Sequence, residues 1–251
     1  MAGHSKFKNI MHRKGAQDAR RARIFTRMGR EIQVAAKLGG GDPNSNPRLR
    51  IAIQNARGEN MPRERIEKAI QSGVGGGTGN DYVQMRYEGY GVGGVAVIVE
   101  TLTNNKNRTA GEIRTAFAKN DGNLGAEGSV GFMFDRIGEI IYPLEVASPD
   151  NMFEAALEAG AQNVDSTESH EIITAPDDFA AVCAALVTKF GEPVKSGLTW
   201  KPNVMADADQ TQAEAILELI AALEESDDVQ NVITNMEVSE SVMQNLSAKA
   251  N

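Results

Sequence analysis

Apolar residues along the chain recur at two different periods, and the change from one to the other divides it. From Gln17 to Leu38, Phe25, Met28, Ile32 and Ala36 fall three or four apart, which is one buried stripe of a helix. The run Gly39-Gly-Gly-Asp-Pro43 stops it, with Gly39 placed as the residue after the C-cap. Asn46-Pro47 supplies a cap and a proline for the first helical position, opening a second helix whose inward residues are Leu49, Ala52, Ile53 and Ala56. Pro62 opens a third, with Ile66, Ala69 and Ile70 inward and Gly73 beyond its end. These three helices form a small bundle preceded by an arm, Met1 to about Ala16, too polar to pack well.

After the glycine-rich stretch Gly73 to Gly79, which reads as a linker, the period drops to two. Tyr82 to Glu88 and Val95 to Leu102 read as strands, Asn105 to Lys119 as a helix and Val130 to Phe134 as another strand. From 137 the order is strand, helix, strand, strand, helix, strand (137–142, 149–159, 162–167, 170–174, 177–189 and 193–201), the ferredoxin-like split unit. A helix at 209–224 and a strand at 228–236 remain, too small to stand alone. The set at 82–134 lacks one helix–strand pair, so the C-terminal pair completes it. The expected fold class is α+β, an N-terminal three-helix bundle plus two α/β (ferredoxin-like) domains, one inserted in the other. The expected boundaries are 1–79 for the helical domain with its arm and linker, 80–136 with 204–251 for the discontinuous domain, and 137–203 for the insertion.

Composition changes this picture in one respect. The net charge of −8 hides a strong asymmetry. Residues 1–80 carry 16 Lys and Arg against 6 Asp and Glu, a net of +10, whereas 81–251 carry 10 against 28, a net of −18. A basic segment joined to an acidic body points to a polyanion partner. On the first helix Arg20, Arg23, Arg27 and Arg30 lie nearly opposite the apolar stripe, and the arm adds Lys6, Lys8, Arg13 and Lys14. Arg48, Arg50, Arg57, Arg63 and Arg65 follow on the next two helices. So many neighbouring cations repel one another unless a partner neutralises them, as phosphate backbones do with release of counterions. Phe7, His4 and His12 in the arm are suited to stacking or phosphate contact; the spacing of the histidines is not that of metal ligands.

The remaining chemistry is sparse. A single cysteine, Cys183, excludes an intramolecular disulfide, and it sits on the apolar face of a helix. Gly89 to Gly94 matches G-x-G-x-x-G but leads into a strand, where dinucleotide binding requires a helix N-terminus, so a hairpin turn is expected. Thr101 to Thr109 is a polar loop entering a helix; Lys106 and Arg108 there leave a phosphate site and a plain capped start both open. His170 stands alone between two strands, and Glu224 to Asp228 reads as a solvated turn. No catalytic residue, metal site or cofactor is expected. No apolar run approaches the ~18 residues of a membrane helix and the N-terminus lacks a secretory core, so a cytoplasmic protein is expected.

Several strings also carry a family likeness. Ala2-Gly-His-Ser-Lys-Phe-Lys-Asn-Ile10, His12-Arg-Lys14, Arg30 to Ala36, Asp42-Pro43, Asn46 to Arg50, Asn60-Met-Pro62, Tyr87-Glu-Gly-Tyr-Gly91, Asn107-Arg-Thr109 and Gly122-Asn-Leu-Gly125 together resemble the YebC/PmpR family over nearly the whole chain. Phe7 stands where that family usually has tryptophan, and Arg63-Glu-Arg65 where it usually has lysine, an acid and asparagine. The resemblance implies a bacterial cytoplasmic protein of three domains, one α/β domain inserted in the other, with no known enzymatic activity. It implies a DNA-binding transcriptional regulator whose interface is the arm and first helix. Relatives that act on the ribosome, some relieving stalling on proline-rich stretches, imply an rRNA-binding translation factor as the alternative. The acidic α/β domains are then either a portion that repels the polyanion or a site for a protein partner.

Overall fold

The computed structural model describes residues 17–75 and 81–249. These form two compact units, one holding 81–135 and 201–249 with the first turns of the first helix, the other holding 24–75 and 136–200.

The helical part of the second unit follows from its caps and glycines. Helix α1 spans Gln17–Gly39, α2 Pro47–Gly58 and α3 Arg63–Val74. Phe25, Ile32, Ala35 and Ala36 of α1 are buried with Leu49, Ala52, Ile53 and Ala56 of α2, Met61, and Ile66 of α3. Asn46 fixes the corner between α1 and α2. Its Oδ1 accepts from the Leu49 amide at 3.1 Å, while Nδ2 donates to the carbonyls of Ala35 and Gly40, each at 2.8 Å. Two glycines act differently from the expectation. Gly39 is the last helical residue, and Gly40, with φ +87°, makes the left-handed turn instead. Gly73 lies inside α3, where an added Cβ would come within 2.4 Å of the Gln33 carbonyl and 2.8 Å of Ala36. It is a point of close helix approach. A methyl there forces α1 and α3 apart, so Gly73→Ala is expected to cost about 1–3 kcal/mol in urea denaturation.

The rest of the second unit is the split unit. Strands β4 (Phe134–Tyr142), β5 (Asn163–Asp165), β6 (His170–Thr174) and β7 (Lys195–Pro202) form one sheet in the order β5-β6-β4-β7. Helices α5 (Pro149–Ala159) and α6 (Phe179–Phe190) cover it through Met152, Ala155, Ala156, Phe179, Val182, Cys183 and Leu186, packed on Ile140, Tyr142 and Ile172. Tyr142 is fully buried, and its hydroxyl donates to the Gly191 carbonyl at 2.9 Å.

In the first unit, β1 (Val83–Tyr90) and β2 (Ala96–Thr103) pair antiparallel through the glycine turn, where Gly93 and Gly94 have positive φ. Helix α4 (Lys106–Lys119) follows, and α7 (Gln210–Glu224) leads into β9 (Val229–Thr234), which pairs with β2. With the two-residue strand β3 (Asn123–Leu124) beside β1, the sheet order is β3-β1-β2-β9. Val97, Val99, Ile113, Phe117, Ile216, Leu219, Leu223, Val229 and Val232 fill its core. A short parallel pair, β8 (Ala206–Asp207) with β10 (Met236–Glu237), and helix α8 (Glu240–Lys249) complete the chain; the apolar pattern gave no reading of α8.

The strand expected at 130–134 is not formed as such. Residues 131–133 make a single 3-10 turn and β4 starts only at Phe134; the place beside β1 is taken by β3, Asn123–Leu124. The cause is Glu88. Its buried carboxylate accepts from the amides of Val130 at 2.9 Å and Gly131 at 2.8 Å, so neither is available to a ladder. Burial pushes this carboxyl up, but the amides of Val130, Gly131 and Gly128 and the Arg86 guanidinium outweigh it and hold it below the ordinary value. Glu88→Ala, which strands these donors, is expected to cost about 1–3 kcal/mol. With a depressed native pKa, the ionised group stabilises the fold above the ordinary carboxylate range, and this contribution is lost as pH falls through the native value. Urea titrations of wild type and Glu88→Gln should therefore converge in acid.

Candidate nucleic-acid interface

Helix α1 carries the cations singled out by charge. At 1.5 Å per residue, Arg23, Arg27 and Arg30 span about 10 Å along the axis, close to the rise of three nucleotides in one strand. All three are half-buried, opposite Phe25, Ile32 and Ala36, which are buried in the bundle. Arg27 and Arg30 also hold interactions with other groups of the protein. Arg20 belongs to the helix, and Lys6, Phe7, Lys8, His12, Arg13 and Lys14 lie outside the described residues.

The cations of α2 and α3 are more committed than their spacing suggested. Arg48 Nε meets Glu31 Oε1 at 2.8 Å and ties α2 to α1. Arg63 Nε meets Glu67 Oε1 at 2.6 Å, one turn along α3. Arg57 lies 3.6 Å from Glu192. The Arg65 guanidinium sits over the Phe25 ring, 5.4 Å from its centroid, so this cation also covers the core. The exposed pairs of Arg57 and Arg63 contribute little to the stability of the fold.

The polar loop before α4 is a capped helix start. Asn105 Oδ1 accepts from the Arg108 amide at 3.1 Å, and the Arg108 side chain turns to Asp228, 2.6 Å away. This corrects the reading of 224–228 as a solvated turn. Asp228 is buried, and its Oδ2 also accepts from Thr103 at 3.0 Å and Thr109 at 2.7 Å. Asn107-Arg-Thr109 thereby serves to receive the start of β9. Nothing in the spacing of a Glu/Asp-rich turn marks one of its acids as buried; the signal was the pair of threonines and an arginine at one helix start.

His170 is buried and joined on both sides: Nδ1 lies 2.7 Å from Ser166 Oγ and Nε2 3.0 Å from the Ala147 carbonyl, a pattern that puts the ring proton on Nε2. Burial pushes the Cys183 thiol up, against the smaller opposing pull of the Ser196 hydroxyl and the Arg50 charge. Its alkylation by iodoacetamide should be at least about tenfold slower in the native protein than in urea, since the thiolate is the reacting form. Among the described residues no group of three or more His, Cys, Asp and Glu is arranged to hold a metal, and no helix is long and apolar enough to cross a membrane.

Two family models match the chain, one described as the TACO1/YebC N-terminal domain over residues 5–76 and one as the TACO1/YebC second and third domain over residues 82–236. The chain belongs to the TACO1/YebC family. The second model carries a transcriptional-regulator label, so the family is a regulator-like one. The crystal structure of a conserved hypothetical protein from Aquifex aeolicus is similar, with 44% identity and a TM-score of 0.81, over 89% of this chain and 93% of that one. The match of the first model covers the arm and α1 to α3, where the cations are concentrated.

Proposed function

We propose that this TACO1/YebC protein is a cytoplasmic, non-enzymatic regulator that binds nucleic acid, with DNA as its target, through the arm and helix α1. The observation that carries this reading is the placement of Arg23, Arg27 and Arg30 on the face of α1 opposite its buried stripe, in a chain whose first 80 residues carry a net of +10. Lys6, Lys8, Arg13, Lys14 and Arg20 extend the same positive field, and Phe7 and His12 supply stacking or hydrogen bonding. Phosphates neutralise these charges; the acidic remainder of the chain repels a polyanion and limits how it docks.

The family's regulator label supports the reading. A role for the acidic α/β part in holding a protein partner is supported by the side chains of Phe132, Val204 and Met205. All three are exposed on two segments joined by hydrogen bonds from Asn203 to the carbonyls of Phe132 and Met133.

Charge reversal tests the interface. Arg23→Glu with Arg27→Glu should weaken binding to duplex DNA and shallow the dependence of log K on log salt by about 0.9 for each phosphate no longer neutralised. Unchanged affinity with an intact circular dichroism spectrum removes these residues from the interface. Crosslinking in cells then identifies the target: recovered DNA supports the transcriptional role, whereas recovered ribosomal RNA replaces it with the translation-factor role.

A further inference from the structure

In the unit formed by 24–75 and 136–200, helix α2 is joined to the edge strand of the inserted sheet by one side chain. Asn55 Nδ2 donates to the Ser196 carbonyl at 2.8 Å, and the Ser196 amide donates to Asn55 Oδ1 at 2.9 Å. The asparagine thus satisfies both main-chain groups of a buried residue on β7, as a neighbouring strand would. Three residues on, Gly58 passes so close to Val194 that an added Cβ would lie 2.4 Å from its carbonyl oxygen. Four residues before Asn55, Ile51 packs against the core of the inserted region. Residues 51, 55 and 58 make one face of α2. Beside that face, Arg57 pairs with Glu192 and the Arg50 charge bears on Cys183.

The two segments joined in this way are opposite in charge. Residues 24–75 hold nine Lys and Arg against five Asp and Glu, and residues 136–200 hold three against eleven, a net of −8. One of those three, Lys195, is paired with Glu139 at 2.5 Å. We propose that the inserted region is an anionic guard on the basic helices, held in place by the Asn55–Ser196 pair and the Gly58 contact. It occupies Arg57, repels phosphates from the α2 side, and so confines nucleic acid to α1 and the arm. This inference rests on the nucleic-acid-binding reading above. Its consequence is selectivity: the guard lowers affinity for polyanions that approach from the wrong side.

The sign of the expected effect separates a guard from a merely structural contact. Loosening a structural contact weakens binding; removing a guard strengthens it. Full-length wild type, Asn55→Ala, Gly58→Val, Glu192→Gln and Glu158→Gln would be titrated with a short fluorescent duplex of arbitrary sequence and with heparin, each protein's fold being checked by circular dichroism. Asn55→Ala, Gly58→Val and Glu192→Gln should each bind about two- to tenfold more tightly, with a salt slope steeper by about 0.9 as Arg57 gains a phosphate. Glu192 is exposed, so that variant keeps its fold and the test holds even if the other two unfold. Glu158, an exposed acid on α5, controls for net charge and should leave affinity unchanged. Binding by wild type that is unaltered or weakened in folded Glu192→Gln, or raised equally in Glu158→Gln, overturns the guard alone. Wild type that binds neither polyanion overturns the functional reading and the guard with it.

Discussion

A domain whose chain is interrupted by another must be closed by contacts made across the interruption. Here that requirement falls on the segment after residue 201. Its strand β9 supplies the last rung of the first sheet beside β2, and its helix α7 covers the core together with α4. Polar anchors fix the register. Asp228 gathers Thr103, Arg108 and Thr109 at one end of β9. At the other end Asn235 accepts from the Ala96 amide at 2.8 Å and donates to the Val204 carbonyl at 3.0 Å. A carboxylate and an amide are tolerable inside a core only when such partners are in place. The same demand makes them specific, because a slipped strand leaves them unpaired.

Glu88 meets the same demand at a different place, and its effect is to end a strand rather than align one. By collecting the amides of the 128–131 turn it delays β4 to Phe134 and leaves the far side of β1 to the two residues Asn123 and Leu124. An apolar pattern records which residues are suited to avoid water, and of Val130 to Phe134 only Val130 and Phe134 are buried while Phe132 is exposed. The pattern carries no information about which amides a distant carboxylate will take. For this reason the helices and most strands were legible from periodicity and caps, whereas the start of β4, the burial of Asp228 and the packing role of Gly73 were not. Gly73 is the simplest instance: a glycine near a helix end has the same appearance in sequence whether it terminates the helix or admits another one.

The basic face was legible for a different reason. Charge is a property of residues rather than of their partners, and the excess of Lys and Arg in the first 80 residues is a matter of counting. What counting missed is how many of those cations are already engaged. Arg48 and Arg63 face carboxylates of the same bundle, and Arg65 lies over Phe25. The bundle therefore combines cations held on a carboxylate or aromatic ring with the half-buried arginines of α1, of which Arg27 and Arg30 also hold interactions within the protein. A total charge cannot separate the two, and only the positions of Glu31, Glu67 and the Phe25 ring do so.

The join between β2 and β9 has a further consequence for how the molecule is made. Ala96 and Asn235 meet although 139 residues separate them. During synthesis the helical segment and the whole insertion leave the ribosome before β9 exists, and each can settle on contacts it already possesses. The discontinuous domain has to wait with an unfilled sheet edge beside Val97 and Val99 until β9 emerges. The packed part of the helical bundle is thus assembled early in translation, and the discontinuous acidic domain closes last.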